Sequence, residues 1–231
     1  RQGMEFAVEV INGKYPEIKD IPLAEEEGIP GLGGKKLEII FADHQAQPEK
    51  GMGEAERLIT QEKVAALTGC YHSSVTATAS QAAERLGVPF VNPDSVSPPL
   101  IKRGYKWFFR LTPGDDTVAE DFMSFLKEFQ EKESVELKTV AILWENSLWG
   151  TEAADIQRQL VQANGYELVA DIGYSSKSTD VTSEVQKLKS ANPDVLIQNS
   201  YIADTMLFLK TFEQMDFVPK LLLANGGGFS D

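Results

Sequence analysis

The residues best placed to do chemistry lie in the stretch 69–76, which reads Gly-Cys-Tyr-His-Ser-Ser-Val-Thr. It follows an apolar run at 64–67 and precedes a helical pattern at 77–86 that Gly87 closes, so the local plan is strand, tight turn, helix. Gly69 lets the backbone turn without a Cβ clash. The first amides of such a helix have no partner within it, and with the helix dipole they form a site for a carboxylate or phosphate. Two readings stand side by side. Ser73 or Ser74 caps the helix start through its side-chain oxygen, or His72, Ser73 and Ser74 belong to an anion-binding turn. The adjacent pair His72-Ser73 does not make a hydrolase, because sequence neighbours rarely face one another as a triad requires.

Composition excludes several classes of function. Twenty-two Lys and Arg against 35 Asp and Glu give a net charge of −13 over 231 residues, which disfavours nucleic acids and anionic membranes as partners. No apolar run approaches the roughly 20 residues of a membrane span. Cys70 is the single cysteine, so no intrachain disulfide can form. His44 and His72 are the two histidines, far apart in sequence, so no metal site and no cofactor is expected. The glycines at 31, 33 and 34 resemble a phosphate loop, but they precede a strand rather than a helix, and the nucleotide-binding context fails.

The elements that must position these residues alternate. Apolar periodicity predicts helices at 4–11, 48–60, 74–86, 115–130, 150–164, 180–191 and 203–215. Strands are predicted at 37–43, 64–68, 89–92, 107–110, 139–144, 167–172, 194–198 and 220–224, and residues 16–34 form a loop rich in Gly, Pro and acids. Alternating strands and helices predict parallel sheets covered on both faces. The order repeats either side of Thr112-Pro113-Gly114, giving an α/β fold of two doubly wound lobes, 1–112 and 113–231. Open sheets of this kind bind ligands at the carboxyl ends of their strands. Those ends carry Asp43-His44, the 69–74 turn, residues 92–95 with Asp94 and Ser95, residues 145–149 with Trp149, residues 199–201 with Tyr201, and residues 225–228. Two exposed aromatics in the second lobe, Trp149 and Tyr201, form a plausible wall.

At this point the chain resembles the solute-binding proteins of ABC transporters for branched-chain amino acids, the type I periplasmic binding fold. The matching pieces are residues 3–12, Asp43 with Pro48, residues 69–76, residues 87–93, Arg103-Gly104-Tyr105 with Phe109-Arg110, Trp149-Gly150 and Tyr201. The resemblance implies a non-enzymatic, extracytoplasmic protein, periplasmic or lipid-anchored outside the cell. It delivers a small-molecule ligand, an amino acid or related carboxylate, to a membrane permease. It implies further that the family's first strand, a signal peptide and roughly its last third lie outside these residues. Ser73 corresponds to the family's carboxylate-holding serine, the Asp94-Ser95-Val96 loop to its further polar contacts, and Trp149 and Tyr201 to its ligand-covering aromatics. A ligand-sensing receptor domain of the same fold is the main alternative, and a two-lobed nucleotide-sugar enzyme a more distant one.

Two positions depart from the family pattern. Val96 stands where relatives often carry a threonine, and Gly226 stands where leucine, isoleucine and valine binders carry an acid for the ligand ammonium. Asp94 is therefore expected to replace that acid, or else simply to cap the Pro93 turn.

Overall fold

A computed structural model describes residues 1–226, and the chain divides into two compact units, 1–43 and 44–231. The first unit opens with helix α1 (Gln2–Asn12), as the apolar spacing predicts. Short 3-10 turns at Pro22–Ala24 and Pro30–Leu32 interrupt the loop that follows. The glycines at 33 and 34 have positive φ and close a turn between Ile29 and Lys35, so they serve chain reversal. The strand expected at 37–43 is not formed. A strand exists only where a neighbour completes its ladder, and among the described residues none pairs with this run. Leu37 is instead bracketed by the Asn12 side chain, whose Nδ2 donates to the Leu37 carbonyl (2.8 Å) and whose Oδ1 accepts from the Leu37 amide (2.7 Å).

The second unit begins with α2 (Pro48–Thr60), then β1 (Leu67–Thr68), α3 (Ser73–Leu86), β2 (Phe90–Asn92) and β3 (Phe108–Arg110). The three strands make a parallel sheet in the order β1-β2-β3. β1 is shorter than the run 64–68 because Val64 still donates to Leu58 of α2 and Lys63 takes a positive φ, so the chain is leaving the helix there. Beneath the sheet, Ala55 and Leu58 of α2 meet Ala79, Ala82 and Ala83 of α3 and Phe90. The small residues of α3 allow the two helices to lie close.

After α4 (Asp115–Glu133) come β4 (Thr139–Glu145), α5 (Leu148–Ala163), β5 (Glu167–Tyr174), α6 (Thr182–Ala191), β6 (Val195–Ser200), α7 (Ile202–Gln214) and β7 (Leu221–Gly226). Their strands form a parallel sheet in the order β5-β4-β6-β7. Side chains alternate along a strand, and here both sets are buried. Ala141, Leu143 and Leu196 pack on one face with Val185 and Leu188 of α6 and Phe208 and Phe212 of α7. Val140, Ile142, Val195 and Ile197 pack on the other with Met123 and Leu126 of α4 and Ala154 and Val161 of α5. Central strands covered on both faces read as continuous apolar runs, which is how the sequence presents them.

The amino-terminal edge of this sheet is tied by Asp194. Its Oδ2 accepts from the amides of Lys138 (2.9 Å) and Thr139 (3.0 Å) and from the Thr139 hydroxyl (3.1 Å), and its Oδ1 from Lys220 Nζ (2.6 Å). Lys220 and these amides hold the carboxyl well below the usual carboxylate range. A depressed acid contributes stability that is present above its unfolded value, near 4, and is lost as the pH falls toward the folded value. Asp194→Asn should therefore lower stability at pH 7 by roughly 1–3 kcal/mol. Its urea denaturation midpoint should also depend less on pH below about 4 than the wild type's does. An identical acid limb in both proteins would rule out this role.

Candidate functional site

The 69–76 stretch runs off β1 into α3 as the sequence predicts. Gly69 has φ +131°, a region that side chains disfavour. The turn is held by side chains from the end of β2, from the loop beyond it and from within α3. Asn92 Nδ2 donates to the carbonyls of Gly69 (2.9 Å) and Cys70 (3.2 Å). Ser95 Oγ lies 2.8 Å from the Cys70 carbonyl, 3.0 Å from that of Tyr71 and 2.5 Å from Thr76 Oγ1. Ser95, expected as a ligand contact, thus spends its hydroxyl on the turn. The expected serine cap is also absent. His72 occupies the N-cap position without a side-chain cap bond, and Ser73 and Ser74 are the first two helical residues. The turn ends one residue early, so the serines lie inside the helix, where a capping geometry is no longer available. Ser73 is buried and Ser74 half-buried at this uncapped start.

Rings from both sheets gather beside it. The His72 ring lies 4.5 Å from Tyr201 and 5.5 Å from Tyr71, Tyr71 lies 5.3 Å from Tyr201, and Tyr201 lies 4.8 Å from Trp149. His44 meets His72 edge-on at 5.9 Å. Burial, and secondarily His44, lowers the His72 pKa, so the imidazole is neutral at pH 7, and its buried Nδ1 has no hydrogen-bond partner. Burial likewise raises the Tyr201 phenol, helped by the charge of Glu145.

A layer of buried polar groups underlies the carboxyl ends of the four-stranded sheet. Glu145 turns back over the start of α5, where it accepts from the amides of Ser147 (2.8 Å) and Gly150 (3.0 Å) and from the Ser147 hydroxyl. Gly150 is required there, since a Cβ would collide with the Glu145 backbone. Gln157 and Asn199 exchange two amide hydrogen bonds (2.8 and 2.7 Å). Asn225 Nδ2 donates to Asn199 Oδ1 (3.0 Å) and to Asp115 Oδ1 (3.2 Å), and Trp149 Nε1 donates to the same Asp115 oxygen (3.3 Å). Asp115 is 1% exposed, its Oδ2 has no partner, and burial pushes its carboxyl up to about 6.

The structure brings His72, Ser73, Ser74, Trp149 and Tyr201 together. Trp149, expected on an exposed wall, is instead 3% exposed beneath Tyr201. Its indole fills the space over Gly226, where any Cβ would strike the ring. That packing explains why residue 226 carries no side chain. Asp94 stands apart from the rings' interior: it is exposed at the turn after β2, its carboxyl is raised by partial desolvation, and the Tyr71 phenol is raised by burial and secondarily by the charge of Asp94. Of the expected strand-end group 225–228, residues 227 and 228 lie outside the described residues. Sequence reasoning missed Gln157 and Asp115. The available signal for Asp115 was two successive acids, Asp115-Asp116, at a helix start where one satisfies the dipole. No cluster of His, Cys, Asp and Glu among the described residues could hold a metal, and among them no helix is long and apolar enough to cross a membrane.

Comparison with known proteins follows the same lines. The family model described as periplasmic binding protein matches residues 1–231. A Leu/Ile/Val-binding protein homologue of Brucella abortus is 31% identical over 99% of this chain and 54% of its own length, so the chain spans about half the length of that curated relative. A substrate-binding protein of Desulfitobacterium hafniense, solved in complex with Leu, superposes with a TM-score of 0.71 at 22% identity, covering 96% of this chain and 60% of that one. A solute-binding protein of Rhodopseudomonas palustris, solved with 4-hydroxybenzoate, gives 0.77 at 17% identity over 97% and 56%. The structural likenesses show a shared fold.

The raised Asp115 carboxyl makes a stability prediction whose sign opposes that of Asp194. Between its unfolded value near 4 and its folded value of about 6, the folded chain holds a proton that the unfolded chain releases, so stability falls as the pH rises through that window. Asp115→Asn cannot show this fall. Relative to wild type, the variant should gain roughly 2–3 kcal/mol between pH 4 and pH 7 in denaturant titrations. A stability difference that does not change with pH would contradict the assignment.

Proposed function

Because the chain belongs to the periplasmic binding protein family, we propose that it is the solute-binding part of an ABC importer. It takes a small carboxylate between the lobes that carry the three-stranded and four-stranded sheets. The observation that carries this reading is the uncapped start of α3 set against rings from the other sheet, with His72 of the turn 4.5 Å from Tyr201. The α3 amides and the Ser73 hydroxyl supply donors, and the dipole favours negative charge. The neutral imidazole and the buried phenol supply an apolar, low-dielectric wall on which a desolvated anion is held more strongly. Nothing in this arrangement pairs a nucleophile with a base, and the site is read as one that binds its ligand unchanged. Closure of the lobes encloses the solute, and the closed form is what a membrane permease receives from outside the cytoplasm. Leu and 4-hydroxybenzoate, found on two of the similar proteins, share the carboxylate that this helix start suits.

Two measurements test the reading. In a thermal-shift screen over amino acids and hydroxybenzoates, the true solute at about a hundred times its Kd should stabilise the chain by about 2.7 kcal/mol and raise Tm by several degrees. Ser73→Ala should weaken that solute roughly tenfold or more, the value of a hydrogen bond to a charged group. Full affinity in the variant would remove Ser73 from the site.

A further inference from the structure

We propose that His72 makes capture of the solute proton-linked: as the solute's carboxylate settles at the start of α3, the imidazole takes a proton from water, and it returns that proton when the solute leaves. This rests on the reading of the α3 start as the carboxylate site and adds the group that neutralises the charge arriving there. His72 is the N-cap residue of α3 and its side chain makes no cap bond, so the ring stands beside the open amides without using them. Its Nδ1 is buried and has no hydrogen-bond partner. A buried polar atom left unpaired is costly. A carboxylate oxygen only accepts, so the ring nitrogen that meets it must carry a proton, and an imidazolium carries one on both nitrogens.

The protein's own influences on the ring oppose a charge. Burial and His44 hold the imidazole below its ordinary value, and the positive end of the α3 dipole acts in the same direction. His44 faces the ring at 5.9 Å from the loop before α2, and its Nδ1 accepts from the Ala46 amide (3.0 Å). Tyr71 of the turn and Tyr201 at the start of α7 face it as neutral phenols, each raised first by burial. The acids beyond them act on those phenols, Asp94 on Tyr71 and Glu145 and Asp115 on Tyr201. None of these groups sets an anion against the ring, and the solute brings one. An opposite charge within about 4–6 Å raises a group's proton affinity by tenfold or more. The His72 value with solute bound therefore lies above the value without it. Between the two, binding consumes a proton, so affinity rises as the pH falls through that window. Below the window both forms carry the proton, and the affinity levels off. A helix start and a serine alone would hold a carboxylate without this dependence.

The test is calorimetric titration of the full chain with the standard α-amino acids and with 4-hydroxybenzoate. Each probe that binds is titrated again between about pH 5.5 and about pH 8.5. Near pH 7 it is titrated in both MOPS and imidazole buffer, whose unlike heats of ionisation report the protons taken up. Wild type should take up a substantial fraction of a proton there, and should bind about tenfold or more tightly at the acid end than at the alkaline end. Asp115 titrates in the same range, at about 6. The His72 share is therefore the wild-type uptake minus that of His72→Gln, which has no titrating ring and should lose most of the rise in affinity. His44→Asn, which keeps an acceptor for the Ala46 amide, should retain both uptake and rise. The chain has two histidines, so their imidazole signals can be followed singly by NMR, with His44→Asn telling them apart. The His72 titration in wild type should move to higher pH when the probe is bound. Equal uptake in wild type and His72→Gln, uptake abolished by His44→Asn instead, or a His72 titration unmoved by the probe would overturn the inference. Each of those results is obtained with the probe bound, and so leaves the carboxylate site standing. Binding of no probe at any pH would overturn both.

Discussion

Much of the site depends on one chain of buried and half-buried amides and a carboxylate, Gln157 to Asn199 to Asn225 to Asp115. Buried polar groups are costly unless paired, and along this chain of groups one oxygen, Asp115 Oδ2, is left without a partner. The pairs here join the interior of α5, the ends of β6 and β7 and the start of α4, so the carboxyl ends of two strands are fixed relative to these two helices. Trp149 is fixed with them, because its N–H ends on Asp115 and its ring lies over Gly226. Tyr201 rests on Trp149, and through Tyr201 the order of the network reaches His72.

The three-stranded sheet solves the same problem with different groups. There the carbonyls of the 69–71 turn would be left without partners as the chain leaves β1. Asn92, Ser95 and Thr76 supply the donors. Once those side chains hold the carbonyls, α3 begins without a side-chain cap. A helix start left open in this way is costly unless water or a ligand uses it. The hydroxyls nearest the site therefore divide between two tasks: Ser95 and Thr76 build the turn, and Ser73 stands at the helix start that the turn presents.

The apolar sheet beneath makes this polar layer rigid. Residues 140–143 and 195–197 are wholly buried, with α6 and α7 on one face and α4 and α5 on the other. Strands packed on both sides at crystal-like density have little freedom to shift. Their carboxyl ends hold the network in place, and this is the end at which parallel sheets present ligands.

The sequence by itself determined the element order, the parallel sheets and the turn at 69–76. Each is written in short-range terms: period-two and helical apolar spacing, Gly at a turn, Pro and Gly at breaks. It also named Ser73, Tyr201 and Trp149 as members of one locality, because strand ends of an alternating α/β chain must converge. Only the tertiary structure decided what each side chain does there. Residues 37–43 look like a strand but need a ladder that no described neighbour provides. Ser95 looks like a ligand contact until Cys70 and Tyr71 are seen to take its hydroxyl. Trp149 looks exposed until Gly226 makes room for it. Asp115 looks like an ordinary acid at a helix start until Asn225, 110 residues away in sequence, and Trp149 occupy one of its oxygens and burial isolates the other. Partnership between groups distant in sequence sets desolvation and hydrogen bonding, and no local pattern records it.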